Sequence, residues 1–391
     1  MDIRLVWLAL GAFAGSVESS LIIAVLPAIS SETGVSIAQA GWLVTAYSLF
    51  YGFGTPLIST VFGRVDRRTM VAAGELVFGC AALALGLAPH FLVMVLARSV
   101  LAFGAGTFTS TAQSTAVALA GPARRGRAVA IVVMGGSIGV AIGAPAAVWV
   151  SQSLGWRVAY IGLAAVALIA SATMWRMLPG DIPGDPRTLR ERLAVLGVPG
   201  LKWALGTSGV MFGACSMILT YMALLTTELM GLSASWLPIV FLAFGGGAVA
   251  GTGIGGWLTD RYGGRQTMLV MIGLLVVEFS ALPLIAMLPR GLVLPVYLLD
   301  TLAFGVCCWG VSSPQVNRLA VLAPASVPLA AALNLTSMNL GAGLAALCGG
   351  WVLQQFGLIA LCLGAALVAV WALCNAWMVP DGRRARPIAA G

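Results

Sequence analysis

Long apolar runs alternate with short polar breaks along almost the whole chain. An α-helix needs about 20 apolar residues to cross a bilayer, and twelve runs approach or exceed that length. The breaks, such as GPARRGR and TDRYGGR, are rich in residues that form turns or carry charge. The predicted spans are 5–29, 40–62, 69–88, 91–118, 128–150, 158–178, 203–228, 236–258, 267–288, 292–315, 329–354 and 358–379.

Composition shows that lipid surrounds much of this chain. Of its 391 residues, 60% are hydrophobic and 9% are charged, whereas soluble domains carry about 25% charged residues. A soluble fold of this size cannot bury so much apolar surface. The runs are also longer than the roughly 10-residue alternating strands of a membrane barrel. The chain is therefore predicted to be an all-α, multi-pass membrane protein.

The basic residues predict the orientation. One set of connections carries most of the arginines, and the opposite set carries Arg157 and Arg290. The arginine-rich set contains Arg64, Arg67, Arg68, Arg124, Arg125, Arg127, Arg187, Arg190, Arg192, Arg261 and Arg265, and the tail adds Arg383, Arg384 and Arg386. Positive loops stay in the cytoplasm, which predicts that both termini are cytoplasmic. The net charge of +8 thus reflects topology, and we expect no nucleic-acid partner.

The longest connection divides the chain into two halves. Residues 179–200 form a Pro- and Gly-punctuated cytoplasmic linker between an N-terminal six-helix bundle, 1–178, and a C-terminal bundle with a short tail, 201–391. Related stretches begin at Ser59 and Gly256, 197 residues apart, after the second span of each half. Such a repeat is typical of transporters built from two related bundles.

The second of these stretches, GGWLTDRYGGRQ, combines one acid, two arginines and several glycines. A small residue allows close helix approach, glycines permit a tight turn, and an acid can face a neighbouring helix N-terminus. This group could latch one bundle against the other, or it could be a tight loop that fixes topology. Its residues are Gly256, Asp260, Arg261, Gly263 and Arg265.

This stretch resembles the signature loop of the major facilitator superfamily, found between spans 2 and 3 and again between spans 8 and 9. The first-half copy, STVFGRVDRR, departs from that pattern. Gly63 stands where the aspartate is expected and Asp66 where the later glycine is expected, while Arg64, Arg67 and Arg68 match. The first latch is then weaker, or Asp66 substitutes for the aspartate.

Further segments resemble the twelve-span drug:proton antiporters of that superfamily. VESSLIIAVLPAI resembles their first-span motif with Glu18 in place of an aspartate, residues 40–57 resemble their second span, and Arg98 matches the arginine of their fourth span. GGSIGVAIGAPAA resembles the span-5 antiporter motif, and residues 314–353 resemble spans 10–11 of the sugar-efflux and purine-efflux branch. The resemblance implies two pseudo-symmetric six-helix bundles around a cavity lined by spans 1, 4, 7 and 10.

Five ionisable residues lie within predicted spans, where their burial is costly. At 1.5 Å per residue, Glu18 lies roughly 20 Å from the cytoplasmic face and Arg98 about 10 Å from the outer face, so the two share a level. We hypothesise that Glu18 carries a proton beside Arg98; a static structural pair is the alternative. Asp300, about 12 Å from the outer face, is a second candidate. Glu75 and Glu278 are interpreted as structural.

Span 5 carries candidates for gating. Gly139 and Gly143 form part of a smooth helix face, and Pro145 removes a backbone hydrogen bond. They predict a tight, bendable contact with the other half, although ordinary small-residue packing explains the same residues. Candidate substrate contacts, polar or aromatic residues on or beside cavity spans, are Ser19, Gln113, Tyr221, Trp309 and Asn334.

Taken together, these features predict proton-coupled efflux of a small organic solute, such as a drug, sugar or nucleoside, by alternating access. An importer or facilitator of the same fold is the alternative, and a non-transporting receptor or scaffold is a weaker one. The sequence has no phosphate-cradling loop and one histidine, so we expect no ATP drive, enzyme activity, metal or cofactor. The expected partners are substrate, protons and lipid, for a monomer in the bacterial inner membrane.

Overall fold

The computed structural model describes residues 3–120, 125–180, 182–184 and 188–378, which are helical nearly throughout. Ten of the helices in these residues are long and apolar enough to cross a membrane. One of the ten, Val327–Met378, is broken at Gly357, whose φ of 82° lies outside the helical region, and so forms two arms. Counting these two arms separately and adding Trp42–Val61 of the first half gives twelve long helices in the described residues.

We number these helices α1 to α12. The first six are α1 Ile3–Thr33, α2 Trp42–Val61, α3 Arg67–Leu87, α4 Phe91–Ala120, α5 125–154 and α6 Trp156–Met177. The second six are α7 201–229, α8 Leu237–Tyr262, α9 Gly264–Ile285, α10 Arg290–Leu322, α11 327–356 and α12 358–378. Arg124, Arg187 and the arginines of the C-terminal tail, which entered the orientation argument, lie outside the described residues.

Span 10 is longer than its predicted limits of 292–315. After a turn at Val311 the helix resumes over Ser312–Leu322. Pro314 lies in the first turn of this segment, where a missing N–H costs little. Gln315 and Arg318 of this segment are buried against other helices of the second half. Because its buried face includes polar side chains, a prediction from apolar residues alone made the span too short.

The helix packing repeats between the two halves. In the first half α1 packs on α5 and α6, α2 on α4, and α3 on α4 and α6. In the second half α7 packs on α11 and α12, α8 on α10, and α9 on α10 and α12. Adding six to each helix number of the first set reproduces the second. This confirms the predicted fold of two pseudo-symmetric six-helix bundles; their residue limits, 1–178 and 201–391, stay predictions.

Small residues bring helix backbones into contact within each half. A Cβ atom added at Gly209 of α7 would lie 2.9 Å from the Ser337 carbonyl oxygen of α11, and one at Gly213 would lie 3.0 Å from the Gly341 carbonyl oxygen. A Cβ at Gly74 of α3 would likewise lie 2.8 Å from the Phe108 amide nitrogen of α4. Lipid supplies little hydrophobic drive between helices, so this close packing is a main source of cohesion.

We expect Gly341→Ala to destabilise the protein, because the new methyl group meets the Gly209 backbone, which cannot move aside independently. Overpacking of this kind costs about 1–3 kcal/mol. The control is Gly273→Ala on α9, where nothing lies within 4 Å of the added Cβ. Thermal unfolding of both variants in detergent should show a lower melting temperature for Gly341→Ala alone. Equal melting temperatures would contradict the packing argument.

Candidate functional site

A central cavity of about 390 Å³ lies between the two halves. It is lined by α1, α2, α4 and α5 of the first half and by α7, α8, α10 and α11 of the second. The four helices expected from the resemblance, α1, α4, α7 and α10, therefore all contribute. Two residues of α3, Glu75 and Phe78, also reach it. The volume lies within the usual range for sites that bind drug-sized molecules.

The cavity is closed at one end, which we call the far face because α1 ends there at Thr33. The two halves touch at this face. Gln152 Nε2 of α5 donates to the Ala234 carbonyl oxygen just before α8, at 2.6 Å. The Tyr221 hydroxyl of α7 approaches the N-terminus of α2, where a Cβ at Gly41 would lie 2.5 Å from it. These contacts block a path from the cavity to the far face.

Toward the opposite, near face, where α1 begins, the halves enclose more space. The central cavity extends along α4 from Arg98 to Gln113, about 22 Å at 1.5 Å per residue. A second cavity of about 380 Å³ lies between α2, α4 and α11, beside the linker residues Arg192 and Leu193. The halves thus touch at the far face and enclose two cavities between that face and the near face.

The predicted pair of Glu18 and Arg98 meets in the structure. An Arg98 guanidinium nitrogen, Nη1, contacts Glu18 Oε1, and both residues are almost completely buried, at 1% and 0% exposure. The Arg98 Nε–H donates to the Leu43 carbonyl oxygen at 3.3 Å, and its guanidinium lies 4.6 Å from the Tyr47 ring centroid. The Tyr160 hydroxyl donates to Glu18 Oε1 at 3.3 Å.

Arg98 lines the cavity, whereas Glu18 is absent from its lining and lies behind Arg98, in contact with Tyr160 of α6. Each charge offsets the burial cost of the other, and removal of one partner leaves an isolated charge in an apolar interior. The helical rise per residue correctly predicted that Glu18 and Arg98 lie at the same level. It could not identify Tyr47 or Tyr160, since those contacts come from other helices.

Asp300 lies apart from this pair. It does not line the central cavity, and it is close enough to Glu278 of α9 to interact with it electrostatically. Glu278 in turn accepts a hydrogen bond from the Cys307 thiol, with a sulfur–oxygen distance of 3.3 Å. The second half thus holds its own pair of carboxylates outside the cavity. A proton-coupling role for Asp300 stays a prediction.

Three of the five predicted substrate contacts, Ser19, Gln113 and Trp309, line the cavity. Tyr221 instead belongs to the closed far face, where its hydroxyl donates to the Ala346 carbonyl oxygen at 3.2 Å. Asn334 is not among the lining residues either, and its side-chain oxygen accepts from Gln315 Nε2 at 2.9 Å. Asn339, one and a half turns further along α11, lines the cavity and was missed, because the sequence gives no rotational setting for this helix.

The first signature loop binds its own half. Asp66 caps α3, where its Oδ1 accepts from the Thr69 amide at 2.9 Å. Arg67 Nη1 donates to the Ser114 carbonyl oxygen of α4 at 2.7 Å, and the Arg68 guanidinium lies 4.7 Å from the Trp175 ring centroid of α6. Arg64 is exposed.

The second signature loop also contacts its own half. Gly263 makes the turn between α8 and α9 at a φ of 88°, and Arg265 Nη2 donates to the Trp377 carbonyl oxygen of α12. The Arg261 guanidinium lies 5.5 Å from the Trp257 ring centroid on the same helix, and Asp260 is exposed. A latch between the bundles therefore stays a prediction, since these contacts all fall within one half.

Gly256, expected to allow close helix approach, does not lie at the closest contact between α8 and α10. A Cβ added there would meet only Ser313 Oγ, at 3.6 Å. The neighbouring Gly255 instead faces α10, and a Cβ on it would lie 2.8 Å from Gly310 Cα. The rotation of α8 places Gly255, and not Gly256, on the contact face.

The span-5 candidates form a local irregularity. Gly139–Gly143 is one π-helical turn, in which the Ala144 amide donates to the Gly139 carbonyl oxygen. Pro145 follows it and has no N–H to continue the α-helical ladder. Such turns are frequent at functional sites. The gating role of these residues stays a prediction.

This turn of α5 lies between the two halves. Gly139 and Gly143 pack on Phe13 of α1, and on the other side a Cβ at Gly245 of α8 would lie 2.6 Å from the Val140 carbonyl oxygen. In the other half, α11 packs in the same way on α7, through Gly341, and on α2, where a Cβ at Gly343 would lie 3.0 Å from Ser48 Cβ. We call the α5–α8 and α2–α11 contacts the two seams.

Comparisons with known proteins agree with this architecture. The family model described as Major Facilitator Superfamily matches residues 8–327. The chain is 27% identical over 347 residues to the chloramphenicol resistance protein of Streptomyces lividans, covering 88% of this chain and 87% of that one. It is 27% identical over 348 residues to the inner membrane transport protein YdhP of Escherichia coli strain K12, covering 89% and 88%.

A solved structure shares the fold. It is the crystal structure of a bacterial homologue of the human lysosomal transporter Spinster in an inward-facing, unoccupied conformation. The TM-score is 0.74 at 18% sequence identity, over 97% of this chain and 96% of that one.

We expect Arg98→Met to destabilise the protein strongly, because it leaves Glu18 without its counter-charge in a buried position. Breaking a buried pair costs about 3–5 kcal/mol, whereas replacing both partners with uncharged side chains is often nearly neutral. Thermal unfolding in detergent should therefore show that Glu18→Gln combined with Arg98→Met recovers most of the lost melting temperature. The control is Glu32→Gln, which removes a partner from the exposed pair with Arg157 and should have a small effect. A double variant no more stable than Arg98→Met would contradict this account of the pair.

Proposed function

The chain belongs to the Major Facilitator Superfamily, and from that premise we propose that it exports a small organic solute in exchange for protons, by alternating access. The observation that carries the proposal is the place of Arg98, which lines the cavity while its partner Glu18 lies behind it. A buried pair at the wall of a substrate cavity can respond to whatever occupies the cavity, because its charges are barely screened there.

The two seams support a rocking motion of the halves. At both, backbones meet through small residues, such as Gly245 against Val140 and Gly343 against Ser48, so the contact surfaces are smooth. A smooth contact allows one half to turn on the other without unlocking large side chains. Rocking would separate the halves at the far face, where Gln152 bonds Ala234 and Tyr221 lies against Gly41, and would close the near face.

Proton coupling follows from the charge pair. When substrate or helix movement draws Arg98 away, Glu18 loses its counter-charge in an apolar environment. A proton taken up by Glu18 then restores neutrality, and re-formation of the pair releases it. Access of Glu18 to the two faces in turn would make this exchange a proton pathway. The alternative, a pair that is static throughout the cycle, makes the opposite prediction for the test below.

Efflux is the direction that the relatives support. One of them carries the name chloramphenicol resistance protein, and resistance by a transporter requires removal of the compound. We propose that the protein lies in the bacterial inner membrane with its near face toward the cytoplasm, as the arginine-rich loops suggest. It would take substrate from the cytoplasm as a monomer, without a cofactor. Chloramphenicol is a reasonable first probe, together with sugars and nucleosides.

The test uses inverted membrane vesicles with an acidic interior and a pH-sensitive dye. An exporter should carry the added solute inward and protons outward, so the interior becomes less acidic when a substrate is added. In Glu18→Gln protein that thermal unfolding shows to be folded, we expect this proton release to fall at least tenfold, because the amide cannot exchange a proton. The control Glu32→Gln should retain it, since Glu32 lies at the exposed far end of α1.

Normal proton exchange by Glu18→Gln would rule out the coupling role of Glu18. Solute uptake without any proton movement in the wild type would favour a facilitator. Acidification on solute addition would indicate proton movement in the same direction as the solute and would contradict exchange.

A further inference from the structure

Glu75 is a second carboxylate at the central cavity. It lies on α3 and is 2% exposed, yet it belongs to the cavity lining. The space beside it comes from Gly11 of α1, where an added Cβ would lie 3.1 Å from Glu75 Oε2 and 2.6 Å from Phe108 Cε2 of α4. The carboxylate thus lies where α1, α3 and α4 meet, at a point where α1 presents no side chain.

One oxygen of this carboxylate is unpartnered. Glu75 Oε1 is buried and has no hydrogen-bond donor within the part of the chain that the structure describes. A buried ionised carboxylate without a donor or counter-charge is costly, so it requires either a proton or a positive charge beside it. Glu18 Oε2 and Glu278 Oε2 are also buried without a donor in the described residues, but of these three carboxylates Glu75 is the one that lines the cavity.

The described wall of the cavity supplies no free counter-charge for Glu75. Of the described residues that line the cavity, Arg98 and Glu75 are the charged ones, and Arg98 is already paired with Glu18. Arg98 also lies ten residues from Phe108 along α4, about 15 Å by helical rise, and its guanidinium bonds the Leu43 carbonyl oxygen near the far face. Glu75 is therefore beyond the reach of Arg98.

The surroundings of Glu75 suit an organic cation. Phe78 and Phe108 flank it in the lining, and Phe212 and Trp309 line the wall provided by the second half. Aromatic faces attract cations, and the attraction is stronger when water is excluded. A hydrated metal ion would gain little from such walls, whereas a lipophilic cation satisfies both the rings and the carboxylate.

We propose that Glu75 is the specificity-determining residue of this cavity and that it binds the positively charged group of lipophilic organic cations. This proposal deepens the transport function proposed above and rests on it for its physiological meaning. It assigns Glu18 and Arg98 to coupling and Glu75 to recognition. A neutral molecule of similar shape would occupy the same aromatic walls without using the carboxylate.

Equilibrium binding to purified full-length protein in detergent tests the proposal. The probes are tetraphenylphosphonium, a permanent cation, and triphenylphosphine oxide, a neutral molecule with similar aromatic groups. We expect Glu75→Gln to weaken tetraphenylphosphonium binding at least tenfold and to change triphenylphosphine oxide binding less than twofold. Glu75→Asp, which keeps the charge, should retain most of the affinity for the cation.

The matched control is Glu278→Gln, which removes a buried carboxylate that lies outside the cavity and has one oxygen without a hydrogen-bond donor in the described chain. It should bind both probes like the wild type. Thermal unfolding of each variant shows whether it is folded; if Glu75→Gln is not, Glu75→Asp and Glu75→Ala provide the comparison. Undiminished cation binding by the uncharged Glu75 variants, equal losses for both probes, or no cation binding by the wild type would each overturn the proposal.

This measurement needs no proton gradient, so its outcome is independent of the vesicle test. Glu75-dependent cation binding without proton exchange would leave recognition standing and remove the coupling mechanism. Proton exchange together with cation binding that does not depend on Glu75 would leave the coupling mechanism standing and remove the recognition role of Glu75.

Discussion

The free-energy cost of burying a charge in an apolar interior determines how the helices of the first half are held together around Arg98. Arg98 is almost completely buried within a helix bundle that lies in lipid, and it is held by Glu18, by a backbone carbonyl of α2 and by the Tyr47 ring. These partners come from α1 and α2, so the charge ties three helices of the first half together at one level. Any conformational change that disturbs one of them changes the electrostatic balance, and the proposed link between substrate, proton and helix movement rests on this point.

The second constraint is the way helices meet without a hydrophobic drive between them. Glycines on α5 and α11 let each of these helices lie between its own half and the other, and the π-helical turn at Gly139–Gly143 falls at the level of the α8 contact. The halves therefore share two close seams, and the hydrogen bond from Gln152 to the Ala234 carbonyl oxygen joins them at the far face. These seams are the contacts along which the proposed rocking of the two halves would take place.

Much of this was predictable because lipid imposes strict rules on sequence. Span length, arginine placement and the half-chain repeat led to the two-bundle fold, and helical rise alone placed Glu18 and Arg98 at one level. Rotation of the helices about their axes was not predictable, since nearly every face is apolar. Tyr221 and Asn334, two of the predicted substrate contacts, therefore do not line the cavity in this structure, whereas Asn339 does and was missed. Glu75 was interpreted as structural because third spans usually pack outside the cavity, yet Gly11 leaves a gap in α1 through which it reaches the cavity.

Because Arg98 bonds both Glu18 and the Leu43 carbonyl oxygen of α2 near the far face, the proposed coupling requires that the charge state of Glu18 affects the contact of the halves there. This contact can be measured as the distance between spin labels at residue 31, at the end of α1, and residue 235, before α8, in a variant whose seven native cysteines are replaced. The account predicts a longer distance on acidification, when Glu18 takes a proton, and no response to pH when Glu18→Gln is added. The same distance distribution at both pH values with Glu18 intact, or an unchanged response in Glu18→Gln, would contradict it.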